Sequence, residues 1–231
     1  MRRTLMYFFM IVCLLIMFSC AGMEPKRGVQ DNIFYSSSDP AINIKINPDF
    51  AYTGSEIQNQ CVYDPWIDKN SPLRTDSAFT GPLIMYRVFA EKESHKFYNS
   101  ELKRKINITI STITIQDHYW RPSLFDQVKN KLATGDVAIN GKKYQYCVFA
   151  DMSSSVNCWL VKALGRIVSA KRDSKMNIYY EENLEGKYTC SDWEKAYLLN
   201  NDQKVFLNEL IESSEKDIQI LKTVKIMGGT Q

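Results

Sequence analysis

Histidine is scarce in this chain: His95 and His118 are the only two among 231 residues. Nucleophilic catalysis by serine or cysteine needs a base beside the nucleophile, and no G-x-S-x-G flanks any serine. His95 sits in Glu91-Lys92-Glu93-Ser94-His95-Lys96, a charged connector that reads as a solvated face. His118 sits in Asp117-His118-Tyr119-Trp120-Arg121-Pro122. Neighbours along an extended segment point to opposite faces, so Asp117 would not orient it. It reads as a packed or loop histidine. Metal-binding patterns are missing as well: there is no C-x-x-C, H-x-x-x-H, H-x-H or EF-hand spacing. No metal or other cofactor is therefore expected. The only adjacent glycines are Gly228-Gly229, which leaves no loop to cradle phosphate. Glycoside chemistry needs two carboxylates placed by the fold, and 26 acidic residues do not single out a pair. Internal repeats and low-complexity tracts are also lacking.

Net charge is nearly absent too, with 29 Lys+Arg against 26 Asp+Glu. Without Arg2 and Arg3 the basic count falls to 27 and the balance to about +1. A chain this balanced has no electrostatic footprint for nucleic acid.

One long apolar run breaks the pattern. Arg2-Arg3 precede an unbroken stretch from Leu5 to Phe18, followed by Ser19-Cys20-Ala21-Gly22. A basic head, an apolar middle and small residues at the exit are the layout of an export signal. The run is 14 residues long, about 21 Å as a helix, short of the roughly 30 Å hydrocarbon core. Ser19-Cys20-Ala21-Gly22 resembles the lipobox of bacterial lipoproteins, although Met17 and Phe18 depart from the usual residues before it. The resemblance implies cleavage after residue 19 and acyl chains (palmitate among them) on Cys20, which would tie the protein to a membrane. With Ala21 rather than aspartate next to the cysteine, it also implies the outer membrane, facing the periplasm, of a two-membrane cell envelope. Residues 20–40 then read as a lipidated N-terminus and tether, with Pro25, Gly28 and Ser36-Ser37-Ser38-Asp39-Pro40. Residues 41–231 read as a single domain, long enough for a sizeable core.

Four cysteines remain beyond the leader: Cys61, Cys147, Cys158 and Cys190. An even number in an exported domain reads as two disulfides. Cys147 and Cys158 flank a turn around Asp151-Met152-Ser153-Ser154, which favours a cross-strand bridge and leaves Cys61 to Cys190. Cys61–Cys147 with Cys158–Cys190 is the alternative.

Along the domain, Ile42, Ile44 and Ile46 alternate with polar residues as a half-buried strand. Residues 48–82 are rich in proline and glycine and read as a long loop. Leu83–Ala90 is a strand and Glu91–Lys105 a charged connector. Isoleucines at 106, 108 and 110, then 113 and 115, mark the clearest strand, with a bulge expected at Ser111-Thr112. Ser123 opens a predicted helix with Phe125, Val128 and Leu132 on one face and Gly135 as its stop. Asn140-Gly141 is a hairpin signal before a strand from Tyr144 to Ala150. Gly165 should break or bulge the return strand. Ser191-Asp192-Trp193-Glu194 reads as a capping box opening a helix, and a further helix starts near Asp202. Residues 218–226 suit a strand or a helix equally. The sum is α+β: a mainly antiparallel sheet with about three helices packed on one face. In element order alone it resembles the sandwich of the photosystem PsbP-like family.

Function is less legible. Trp66 in the long loop, and His118, Tyr119, Trp120 and Arg121 before the predicted helix, are residue types that interfaces favour. They suggest a surface for an envelope protein or a glycan, although Trp66 and Trp120 also suit the ends of a core. The leading expectation is an exported, lipid-anchored binding or structural module. The alternatives are an envelope hydrolase acting on glycan or peptidoglycan, and a carrier of an apolar ligand, for which a cavity of several hundred Å³ is the mark.

Overall fold

The computed structural model describes residues 26–63, 87–114, 124–125, 128, 130–151, 158–169, 174–193 and 196–222. Within them the chain is a two-sheet β structure, not α+β with about three helices: eleven strands are joined by a single α-helix. The smaller sheet has the order β1(Arg27–Gln30), β2(Ile33–Ser36), β3(Ile42–Ile46), β11(Ile218–Leu221). The larger has the order β4(Ala51–Tyr63), β5(Arg87–Asn99), β6(Arg104–Thr114), β10(Ser174–Asn183), β9(Trp159–Ser169), β8(Lys142–Asp151), β7(Lys131–Ile139). Every pairing is antiparallel. Two meanders, β4-β5-β6 and β7-β8-β9-β10, thus join side by side through the β6–β10 pair.

The smaller sheet packs on one face of the larger. Phe34, Ile44 and Ile46 from the one, and Ile106, Ile108 and Ile178 from the other, share one core and are at most 1% exposed. Strand alternation explains the isoleucines, since residues two apart fall on one face. The register of β6 against both neighbours runs through Ser111-Thr112 without a slip, so the expected bulge is not there. The charged connector is instead the body of β5. Glu93, His95 and Phe97 point inward, and the two last are 3% and 1% exposed. Strand β4 likewise occupies the first part of the presumed loop, and strands β1 and β2 lie within the presumed tether.

Of the other two predicted helices, the one opened at Ser123 begins largely outside the described residues, and its expected end is a strand. Leu132 and Gly135 belong to β7, where Gly135 is not a stop. A side chain there would meet the Tyr146 ring on the paired strand at 2.6 Å, so the glycine makes room for a cross-strand aromatic. At the supposed capping box only a 3-10 turn forms, Cys190–Trp193. Its cap lies two residues earlier: the Thr189 amide and hydroxyl both donate to Asp192 Oδ2, each at 2.8 Å. Gly165 also passes through its strand unbroken; Asn177, Phe125 and Leu124 crowd its face and leave no room for a side chain. The hairpin at Asn140-Gly141 is as expected, with φ of +53° and +73°, the left-handed pair that such a turn requires.

The helix that does form, α1(Asn201–Asp217), starts where expected. Asn200 accepts from the Gln203 amide while the Gln203 side chain accepts from the Asn200 amide, a reciprocal cap. A disulfide joins Cys158 to Cys190, with Cα atoms 5.3 Å apart and a sequence separation of 32. That pins the 3-10 turn to the start of β9. Closing a loop of this size stabilises by roughly 3–4 kcal/mol in the chain-entropy account. The favoured Cys147–Cys158 bridge is absent because Cys147 pairs opposite Ala163, on the face of β8 away from the core that holds Cys158. Cys147 is a fully buried thiol, so the two-disulfide reading does not hold for it. Cys61 lies on β4, with its side chain outside the described residues.

Candidate functional site

A cavity of about 620 Å³ lies between the β7–β10 half of the larger sheet and a roof made by the second half of α1 and by β11. Its floor is Leu164 on β9, over Ile178 and Tyr180, which are 1% and 0% exposed; Val137, Ile139 and Tyr146 form its outer wall, and Asp136 and Gln219 also line it. Ile211, Ile218 and Ile220 line it from the roof.

The helix sequence explains why this space is not filled. Its buried positions are Gln203, Leu207, Leu210, Ser214 and Asp217. Only the two leucines are bulky and apolar, and both lie in the first part of the inward stripe. A fully apolar stripe would draw the helix onto the sheet along its whole length. Here Ser214 is small and bonds its own helix, donating to the Ile211 carbonyl at 2.6 Å. Asp217 is held by Tyr180, whose hydroxyl donates to Oδ2 at 2.7 Å, and by Asn47, whose side-chain amide donates to Oδ1 at 2.8 Å. Burial, and the bond to Asp217, push the Tyr180 phenol far above its ordinary value, so it stays a donor. The end of the helix is therefore anchored by polar bonds at a fixed height above the sheet.

One charge reaches the cavity from the floor. Lys162, 8% exposed, donates to Glu215 Oε1 at 3.0 Å and to the Ile211 carbonyl at 3.3 Å. The Glu215 side chain is 70% exposed. Such a half-exposed pair contributes little stability, but it keeps a buried ammonium partnered at the edge of an apolar space.

A second polar cluster ties the sheets together at the other end. His95 has both ring nitrogens engaged, with Tyr52 Oη 3.2 Å from Nδ1 and Glu93 Oε1 2.9 Å from Nε2. Arg27 donates to Glu93 Oε2 at 2.7 Å, to the Asp39 carbonyl at 3.0 Å and to Ser36 Oγ at 3.3 Å. The Phe34 ring packs on the imidazole at 4.8 Å. Residues of β1, β2, β4 and β5 thus meet at one histidine that sequence reading had placed in solvent. The period-two alternation of Glu91, Glu93, His95 and Phe97 was the available signal.

Cys20, Trp66, His118, Tyr119, Trp120 and Arg121 lie outside the described residues. Among the described residues no helix is long and apolar enough to cross a membrane, and no three His, Cys, Asp or Glu side chains gather as a metal site. Burial raises the Cys147 thiol above its ordinary value, which leaves it protonated and a weak nucleophile.

Fold and site together define a two-sheet β structure with an apolar cavity roofed by one helix. No family model, no curated protein and no solved structure matches the chain.

Proposed function

We propose that this is an exported, lipid-anchored cell-envelope protein whose domain carries an apolar ligand in the cavity between α1, β11 and the larger sheet. The cavity is the observation that carries the reading. Its volume falls inside the range of small-molecule sites, and nine of its fourteen lining residues are apolar or aromatic, the other five being Asp136, Lys162, Ser214, Glu215 and Gln219. The basic-headed apolar leader and the Ser19-Cys20-Ala21-Gly22 signature support export and anchoring at Cys20. An anchored carrier keeps its cavity close to a bilayer, the natural source of apolar molecules. On this reading the partners are the membrane, through acyl chains on Cys20, and whichever envelope component exchanges the cargo.

The test uses the full chain in lipid nanodiscs with a photoactivatable long-chain alcohol, a neutral probe. Cross-links should map to peptides containing Val137–Tyr146 and Ile211–Ile220. Leu164→Trp, which fills the floor, should cut that labelling by about tenfold, as one lost apolar contact surface of this size requires. Labelling spread evenly over the chain, or unchanged in Leu164→Trp, would overturn the carrier reading. Separately, Cys20→Ala should abolish acylation and leave unprocessed precursor; unchanged mobility and membrane partition would overturn the anchor.

A further inference from the structure

Next to the main cavity lies a second hollow of about 340 Å³, and the two share Ile139 and Ile220 as a common wall. Its character is different. Lys142, Arg166 and Lys222 line it, together with Tyr144 and Asn140, and among the described residues no carboxylate does. Arg166 lies 5.7 Å from the Tyr144 ring. Among the described residues none of these three cations is in an ion pair, although nearby Lys143 and Lys162 both are. In a chain with nearly as many acidic as basic groups, three cations around one hollow, with no carboxylate beside them among the described residues, make it a place that favours negative charge.

We infer that the cargo is a single-chain anionic amphiphile of the long-chain carboxylate class. Its apolar tail lies in the larger cavity and its carboxylate sits in the smaller one, on Arg166, Lys142 and Lys222. The inference rests on the carrier reading above and adds the chemistry of the head group. Arg166 is the central member, since its planar guanidinium can take both carboxylate oxygens. Lys142 and Lys222 are exposed, and they screen the remaining charge at the mouth. The larger cavity offers the head group no free cation, since Lys162 there already has Glu215 as its partner.

The experiment compares two photoactivatable probes on the full chain in nanodiscs, a long-chain carboxylate and the alcohol with the same tail. The carboxylate should label the cavity peptides at least about tenfold more strongly than the alcohol, the ratio expected for one good charge-assisted contact. The variant Lys142→Gln/Arg166→Gln/Lys222→Gln should lose that preference and keep the labelling by the alcohol. Because these side chains lie at the surface or half-buried, the variant should fold, and an unchanged thermal midpoint checks this. Equal labelling by both probes, or a preference retained in the triple variant, would overturn the head-group assignment while leaving the carrier reading in place. No specific labelling by either probe would overturn the carrier reading itself.

Discussion

The two halves of the larger sheet are covered by different means. Over β4, β5 and β6 lies the meander β1-β2-β3, and the contact is dry and tight. Phe34, Ile44 and Ile46 have no exposed surface, and a network from Arg27 through Glu93 to His95 and Tyr52 closes the edge. Over β7 to β10 the cover is one helix and one short strand, and a cavity remains beneath them. The sheet surface itself is no less apolar there, since Leu160, Ile178 and Tyr180 are as buried as the isoleucines of β6. The difference lies in the covering element. A strand presents an apolar residue at every second position, whereas α1 presents Leu207 and Leu210 and then turns polar. Emptiness in this molecule is written in the helix.

Four changes would sharpen or break that contrast, and the first should have the largest effect. Ile44→Ala in the filled half should cost about 2–5 kcal/mol in denaturant titration, and Ile211→Ala above the cavity about 1 kcal/mol or less, because little new void is created. Similar costs at both positions would mean that the cavity is packed in solution. Second, Cys158→Ser/Cys190→Ser should lower stability by roughly 3–4 kcal/mol, most visibly as faster exchange of amides in β9 and the 3-10 turn. No loss would mean that the bridge is not formed. Third, Tyr180→Phe should cost about 1–3 kcal/mol by leaving the buried Asp217 one donor short. Asn47→Ala should couple to it non-additively in a double-mutant cycle, and strict additivity would refute a shared anchor.

The smallest effect concerns pH. Burial holds the Glu181 carboxyl above its ordinary value, opposed in part by Lys105 across the strand pair. An acid raised in the folded state binds its proton more tightly there than in the unfolded chain. Its contribution to stability is therefore largest below the ordinary value of 4.5 and falls as pH rises from there through the raised folded value. Glu181→Gln should then be more stable than the parent at pH 7, and the advantage should vanish below pH about 4. A pH-independent difference would rule out this origin.

Local signals in the sequence were readable where local chemistry decided the outcome. Asn140-Gly141 turns because both residues take positive φ cheaply, and the helix expected near Asp202 does start there, where the structure adds the cap that Asn200 makes to Gln203. The isoleucines of β3 and β6 show their faces by simple alternation. Misreadings arose where a neighbour in space overruled the local pattern. Gly135 looks like a helix stop, but the Tyr146 ring on the paired strand requires it. His95 sits among charges along the chain, and its inward face exists only because Phe34 and Arg27 arrive from another sheet. The Cys158–Cys190 link and the cavity depend on contacts far apart in sequence, between β9 and the 3-10 turn in one case and between β10 and α1 in the other. Spacing along the chain does not encode such distances.

The side chain of Asn140, at the tip of the β7–β8 hairpin, donates to the Ile220 carbonyl at 2.8 Å. That single amide is a latch across the seam where the two hollows adjoin. Because Ile139 and Ile220 line both hollows, this bond fixes the spacing of the wall between them. Without it, the hairpin tip and the last strand would lose a direct side-chain tie between them.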